Sequence, residues 1–127
     1  MVTTAFDPST HGFKFDNWFE HHVGPITFYG ACGGMCYAAL DYYHCLVNTP
    51  THREGDFGGL KVPPAESTLA RYIWKRQYDS TVGSWHAAKH WELSWNPDDN
   101  ALFHWSTHDE WQKLKAYIDA GTPIPLG

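Results

Sequence analysis

Two cysteines four residues apart, with a pair of glycines between them, form the segment best suited to chemistry: Gly30-Ala31-Cys32-Gly33-Gly34-Met35-Cys36-Tyr37-Ala38-Ala39-Leu40. The run that follows reads as a helix, which puts Cys32 at its mouth. A thiol there meets unsatisfied amide donors and the positive end of the helix macrodipole, and both favour thiolate. Gly33 and Gly34 permit a tight turn and leave backbone amides open to an oxyanion. Cys32 and Cys36 are therefore the candidate nucleophiles, with Gly33 and Gly34 as candidate oxyanion donors. The competing reading is packing, because a free thiol in a helix commonly serves as a small hydrophobe. Cys36 leans that way, and Cys45 reads as purely structural.

Histidine is the second chemical resource, with nine in 127 residues. His86-Ala-Ala-Lys-His90 and His104-Trp-Ser-Thr-His108 are both His-x-x-x-His, and i,i+4 imidazoles on one helix face can hold Zn²⁺. The first pair falls on an expected helix. The second straddles an expected helix start, so convergence of its rings is not implied. Neither pair carries the Glu of the zinc-peptidase motif, and no metal ligand or cofactor is assigned. His21-His22 reads as a solvated loop pair. Asp41 lies about 13 Å along the helix from Cys32, too far to assist it, and is expected to pair with a base or cap a neighbour.

The elements that must position these groups follow from periodicity and punctuation. Residues 1–31 read as extended and loop structure, with a short strand at Ile26–Tyr29. The helix opened by Gly33-Gly34 and continuing as MCYAALDYYHCLV presents Met35, Ala38, Ala39, Tyr42 and Leu46 on one face and Cys36, Leu40 and Val47 on the adjoining one. Residues 48–64, with three Pro and three Gly, are loop. A helix from Pro64 or Ala65 to Gly83 should bury Leu69, Tyr72, Ile73 and Tyr78, leaving Arg71, Lys75 and Arg76 in solvent. A shorter helix is expected at 84–93 and a turn at WNPDDN. Thr107-His108-Asp109-Glu110 reads as a capping box. The helix it opens should bury Trp111, Leu114, Tyr117 and Ile118 and stop at Gly121. Trp91, Trp95, Trp105 and Trp111 read as core rather than as a groove.

Cys-Gly-x-x-Cys-x-Ala on a buried helix after an extended stretch resembles the papain-like cysteine peptidases. It is most similar to the branch that cleaves leader peptides after a double glycine. That branch's nucleophile directly precedes Gly, which maps onto Cys32, whereas papain's own pattern would point to Cys36. The Cys-x-x-x-Cys spacing favours Cys32. The ending AYIDAGTPIPLG also resembles the region before the family's His-bearing sheet. The family's upstream Gln is replaced here by the neighbourhood of Ile26 and Thr27, and its catalytic His is expected beyond Gly127. The resemblance implies an α+β fold of which this chain is the helix-rich left half, with little sheet. Residues 1–127 then read as a single domain, either self-contained or the N-terminal part of a larger papain-like domain.

Composition narrows the classes. The formal charge of −5 argues against a nucleic-acid partner, and 43% hydrophobic with 18% charged residues excludes wholesale disorder. No apolar run could cross a bilayer and no secretion signal is visible, so a cytoplasmic or otherwise unsecreted protein with three free thiols is expected. Three functions remain. The first is a papain-like thiol hydrolase, or a subunit of one, acting on a peptide or amide. The second is a non-catalytic binding or assembly protein of the same architecture, completed by a partner chain or by self-association. The third is a His-based metal binder.

Overall fold

Short aromatic segments fold back on two helices in the computed structural model, which describes residues 3–81, 101 and 104–125. Its described elements are α1 (Pro8–His11), β1 (Glu20–Val23), β2 (Ile26–Tyr29), α2 (Cys32–His44), a 3₁₀ turn (Glu54–Asp56), α3 (Thr68–Thr81), a π-helical turn (Trp105–Asp109) and α4 (Glu110–Asp119). The molecule is a helix-rich α+β protein whose described sheet is a single antiparallel pair.

That pair corrects the reading of residues 20–23 as loop. Glu20 pairs with Tyr29 and Val23 with Ile26, joined by the two-residue turn Gly24-Pro25. Gly24 adopts φ 60°, which a hairpin turn with glycine first requires. His21 and His22 are exposed, as expected, but lie on a strand rather than in a loop, and the His21 ring lies 4.7 Å from that of Trp74. α1 was also missed. Asp7 caps it by accepting from the Ser9 amide at 2.9 Å, and Pro8 opens it without losing a needed donor.

The core is small and rich in phenylalanine and small side chains. Phe15, Phe19, Ala31, Ala38, Ala70 and Ile73 are buried together, with Phe13, Met35, Phe57, Val62, Leu69, Tyr72 and Trp74 packed around them. Phe15 meets Phe57 edge-on at 5.3 Å, and Phe19 meets Trp74 at 6.0 Å. Such pairings add about 1 kcal/mol each to area burial. The α2–α3 crossing is lined by small residues, with Gly34, Ala38 and Ala70 all buried. Leu40 is buried as well, but Leu46 and Val47 are exposed, because α2 ends at His44 rather than at Val47.

Further expectations are corrected. α3 begins at Thr68, not at Pro64 or Ala65. Tyr78 faces solvent, whereas Arg76 turns inward between the helices. Thr107 does not open the helix, because His104 is already helical (φ −61°, ψ −44°) and the π turn carries the chain through Thr107 into α4. α4 buries none of its residues, and Trp111 and Tyr117 are each half exposed. Apart from the π turn before it, α4 packs on no described helix or strand, so its apolar side finds no partner there. Gly121 does terminate it in the left-handed conformation at φ 72°. The expected helix at 84–93, the WNPDDN turn, the His86–His90 pair, Trp91 and Trp95 lie outside the described residues. No described helix is long and apolar enough to cross a membrane.

Candidate functional site

The mouth of α2 is built by the turn that precedes it. Gly30 sits at φ 80° and donates its amide to the Phe19 carbonyl at 2.7 Å. Asn17 Oδ1 accepts the Ala31 amide at 2.6 Å, and a β-carbon on Gly30 would lie 2.9 Å from Asn17 Nδ2. These bonds bring the chain off the hairpin and into the helix with Cys32 as its first residue.

Gln77, from the second half of α3, completes this mouth. Its Oε1 accepts the Gly34 amide at 2.8 Å and so caps α2 in trans. That amide is therefore engaged, while the amides of Cys32 and Gly33 meet no acceptor among the described residues. Gly34 owes its identity to the crossing: a β-carbon there would collide with the Ile73 carbonyl oxygen. At Gly33 a β-carbon would meet side-chain atoms rather than backbone, Ser80 Oγ at 2.7 Å and Gln77 Oε1 at 3.2 Å. Nothing in the sequence pointed to Gln77, which is 43 positions from its partner.

All three thiols are exposed, including Cys36 and Cys45, which were expected to be packed. Cys45 is outside because it caps the C-terminus of α2 rather than continuing its buried face. The Cys36 thiol is pushed above its ordinary value, first by partial desolvation against the fold and then by the nearby Cys32. Of the two candidate nucleophiles, Cys36 is thus disfavoured as thiolate. No described imidazole is hydrogen-bonded to any of the thiols.

Asp41 does what its position allowed and pairs across the crossing. Its Oδ2 accepts from the Tyr72 hydroxyl at 2.6 Å, and its Oδ1 from Arg76 Nη2 at 3.2 Å. Arg76 Nε lies 2.7 Å from Oδ2 as an ion pair, though off the hydrogen-bonding direction. Arg76 also reaches Asp79 at 3.2 Å, which Lys75 approaches at 3.0 Å, and its guanidinium lies 5.2 Å from the Tyr37 ring. The bond to Asp41 is the first cause that pushes the Tyr72 hydroxyl up to about 12. An open cleft of about 400 Å³ bounded by Asp41, His44, Cys45, Tyr72, Lys75 and Arg76 lies over this network. Because its charges already satisfy one another, the network acts as a clasp between α2 and α3.

The histidines are dispersed. His11 packs between Phe6 and, edge-on, Tyr43 and accepts the Asp7 amide at 2.8 Å, while His52 stacks on Phe57. His104 and His108 do converge, with ring centroids 4.8 Å apart and planes at 28°. They do so because the helix starts earlier than the sequence implied, which places both on one continuous helical stretch. Set against protein-family models, curated proteins and solved structures, the chain matches none of them.

Proposed function

We propose that this chain is a binding and assembly module whose apolar surfaces are covered by another polypeptide, with a second copy as the simplest partner. The observation that supports this reading best is α4. Its Trp111 and Tyr117 are half exposed and it lies against no described helix or strand beyond its own π turn. An amphipathic helix, even when continued by the π turn, owes most of its stability to covering its apolar side. The hairpin adds Ile26, Phe28 and Tyr29, all more than half or half exposed. Sedimentation velocity across a hundredfold concentration range tests the proposal. The expected result is a mass rising above the 14.5 kDa of one chain, with Trp111→Ser/Tyr117→Ser returning it toward the monomer. A monomer at every concentration, unchanged by the double substitution, counts against self-assembly.

A second reading, the papain-like thiol hydrolase or a subunit of one, draws support from Cys32 itself. An exposed thiol on the first turn of α2, beside two amides without acceptors, has the surroundings of a nucleophile. In that reaction Cys32 Sγ would attack the acyl carbon of a peptide or amide, and its own amide would hold the oxyanion. A histidine outside the described site would take the thiol proton and pass it to the departing amine. Water would then hydrolyse the thioester. A short iodoacetamide pulse at pH 6 separates the readings. An ordinary thiol, with a pKa of about 8.5, scarcely reacts there, which is the expectation for the assembly module. Rapid single labelling at Cys32 on a monomer would reverse the ranking.

A further inference from the structure

We infer that His104, His108 and Asp109 form a binding site for a divalent transition-metal ion such as Zn²⁺. The three side chains lie within six consecutive residues of one helical stretch, and their ligating atoms all lie within 4.8 Å of one another. Asp109 Oδ1 is 3.2 Å from His108 Nδ1 and 4.0 Å from His104 Nδ1. Zinc bonds of about 2.0–2.1 Å in tetrahedral geometry separate neighbouring ligand atoms by about 3.3 Å. The observed spacings bracket that value, so small side-chain rotations bring all three donors onto one ion. The donor set is also chemically selective. Two imidazoles and one carboxylate suit zinc and its neighbours, whereas calcium and magnesium prefer oxygen alone.

The backbone explains why these residues meet. Imidazoles at i and i+4 share a face of a helix, and the π turn over Trp105–Asp109 keeps the chain helical from His104 into α4. A single π turn within a helix is frequently found at functional positions. All three side chains are exposed. Three protein donors therefore leave at least one coordination position open to water or to a ligand from a second molecule. The site is independent of the assembly proposal and of Cys32.

Isothermal titration of the untagged full-length protein with Zn²⁺ tests it, alongside Mg²⁺ as the oxygen-preferring control. The expected result is one Zn²⁺ per chain and no heat with Mg²⁺. His104→Ala and His108→Ala should each weaken binding at least tenfold, and Asp109→Asn should weaken it less. His86→Ala/His90→Ala is the decisive comparison, because that pair has the same spacing and should be dispensable. Loss of binding in His86→Ala/His90→Ala with retention in His104→Ala/His108→Ala overturns the assignment, as does equal binding by all variants or none by the unaltered chain. Circular dichroism of each variant confirms that the helices persist, which is expected for exposed positions. Nitrogen-15 spectra of the imidazoles provide a second reading: on Zn²⁺ addition, the resonances of His104 and His108 should shift while those of His11 and His52 stay in place.

Discussion

Leu46 adopts a backbone that leucine seldom takes. α2 closes with the Leu46 amide on the Tyr43 carbonyl and the Val47 amide on the Tyr42 carbonyl, both at 3.0 Å. This is a Schellman closure, with Leu46 at the position normally given to glycine and at φ 56°. The left-handed region costs an L-residue about 1–2 kcal/mol, and the Leu46 side chain, 95% exposed, recovers nothing by packing. Leu46→Gly is therefore expected to stabilise the protein by about 1 kcal/mol, after allowing for the greater freedom of glycine in the unfolded chain. Urea denaturation would read this as a higher midpoint at unchanged slope. A lower midpoint would show that Leu46 makes a contact that matters in solution. The same closure at the end of α4 uses Gly121 and carries no such strain.

At the scale of elements, the α2–α3 crossing is held by a close steric fit and by an ionic clasp, and each makes a separate prediction. Gly34→Ala should cost about 2–3 kcal/mol, because the new methyl meets a backbone carbonyl that cannot rotate away. Gly33→Ala should fall within about 1 kcal/mol of the unaltered protein. There the obstacles are the ends of the Ser80 and Gln77 side chains, and alanine gains helix propensity over glycine. Similar losses at the two positions, measured by urea denaturation, would contradict the close approach at Gly34. The clasp should appear in alkali. Folding raises the Tyr72 hydroxyl from 10.0 to about 12, so its contribution is complete below pH 10 and is lost as the pH climbs toward 12. Unfolding midpoints should drop across that window, and Tyr72→Phe should flatten the drop while costing about 1 kcal/mol at neutral pH. An equal alkaline drop in Tyr72→Phe would assign it to other groups.

For the whole molecule, stability is unevenly distributed. Phe15, Phe19, Ala38, Ala70 and Ile73 knit the N-terminal segment, α2 and α3 into one buried cluster, whereas α4 buries none of its residues. Hydrogen exchange should therefore divide the chain. Amides of residues 36–44 and 72–81 should be protected to nearly the global unfolding free energy, and those of 113–119 should exchange orders of magnitude faster. Raising the protein concentration should slow exchange in α4 selectively if a second copy covers it. Uniform protection at low concentration would instead place α4 within the same cooperative unit.

The strand at Ile26–Tyr29, the helices around Ala38 and Ile73, and the Gly121 stop were legible in the sequence, because local periodicity and punctuation encode them. So was the placement of Cys32 at a helix mouth. The inward turn of Arg76 was not legible, because an arginine on a helix turns inward only when a partner such as Asp41 waits on a helix 35 positions away. Nor could the sequence show that Gln77 caps α2, that Cys36 and Cys45 are exposed, or that His104 and His108 converge. Those outcomes depend on which faces meet, where each helix actually begins and ends, and how closely two backbones approach. Sequence by itself determined the longer helices, the second strand of the hairpin and which groups have reactive chemistry. Tertiary structure decided which of those groups face one another, because pairing across a crossing depends on geometry accumulated over the whole chain.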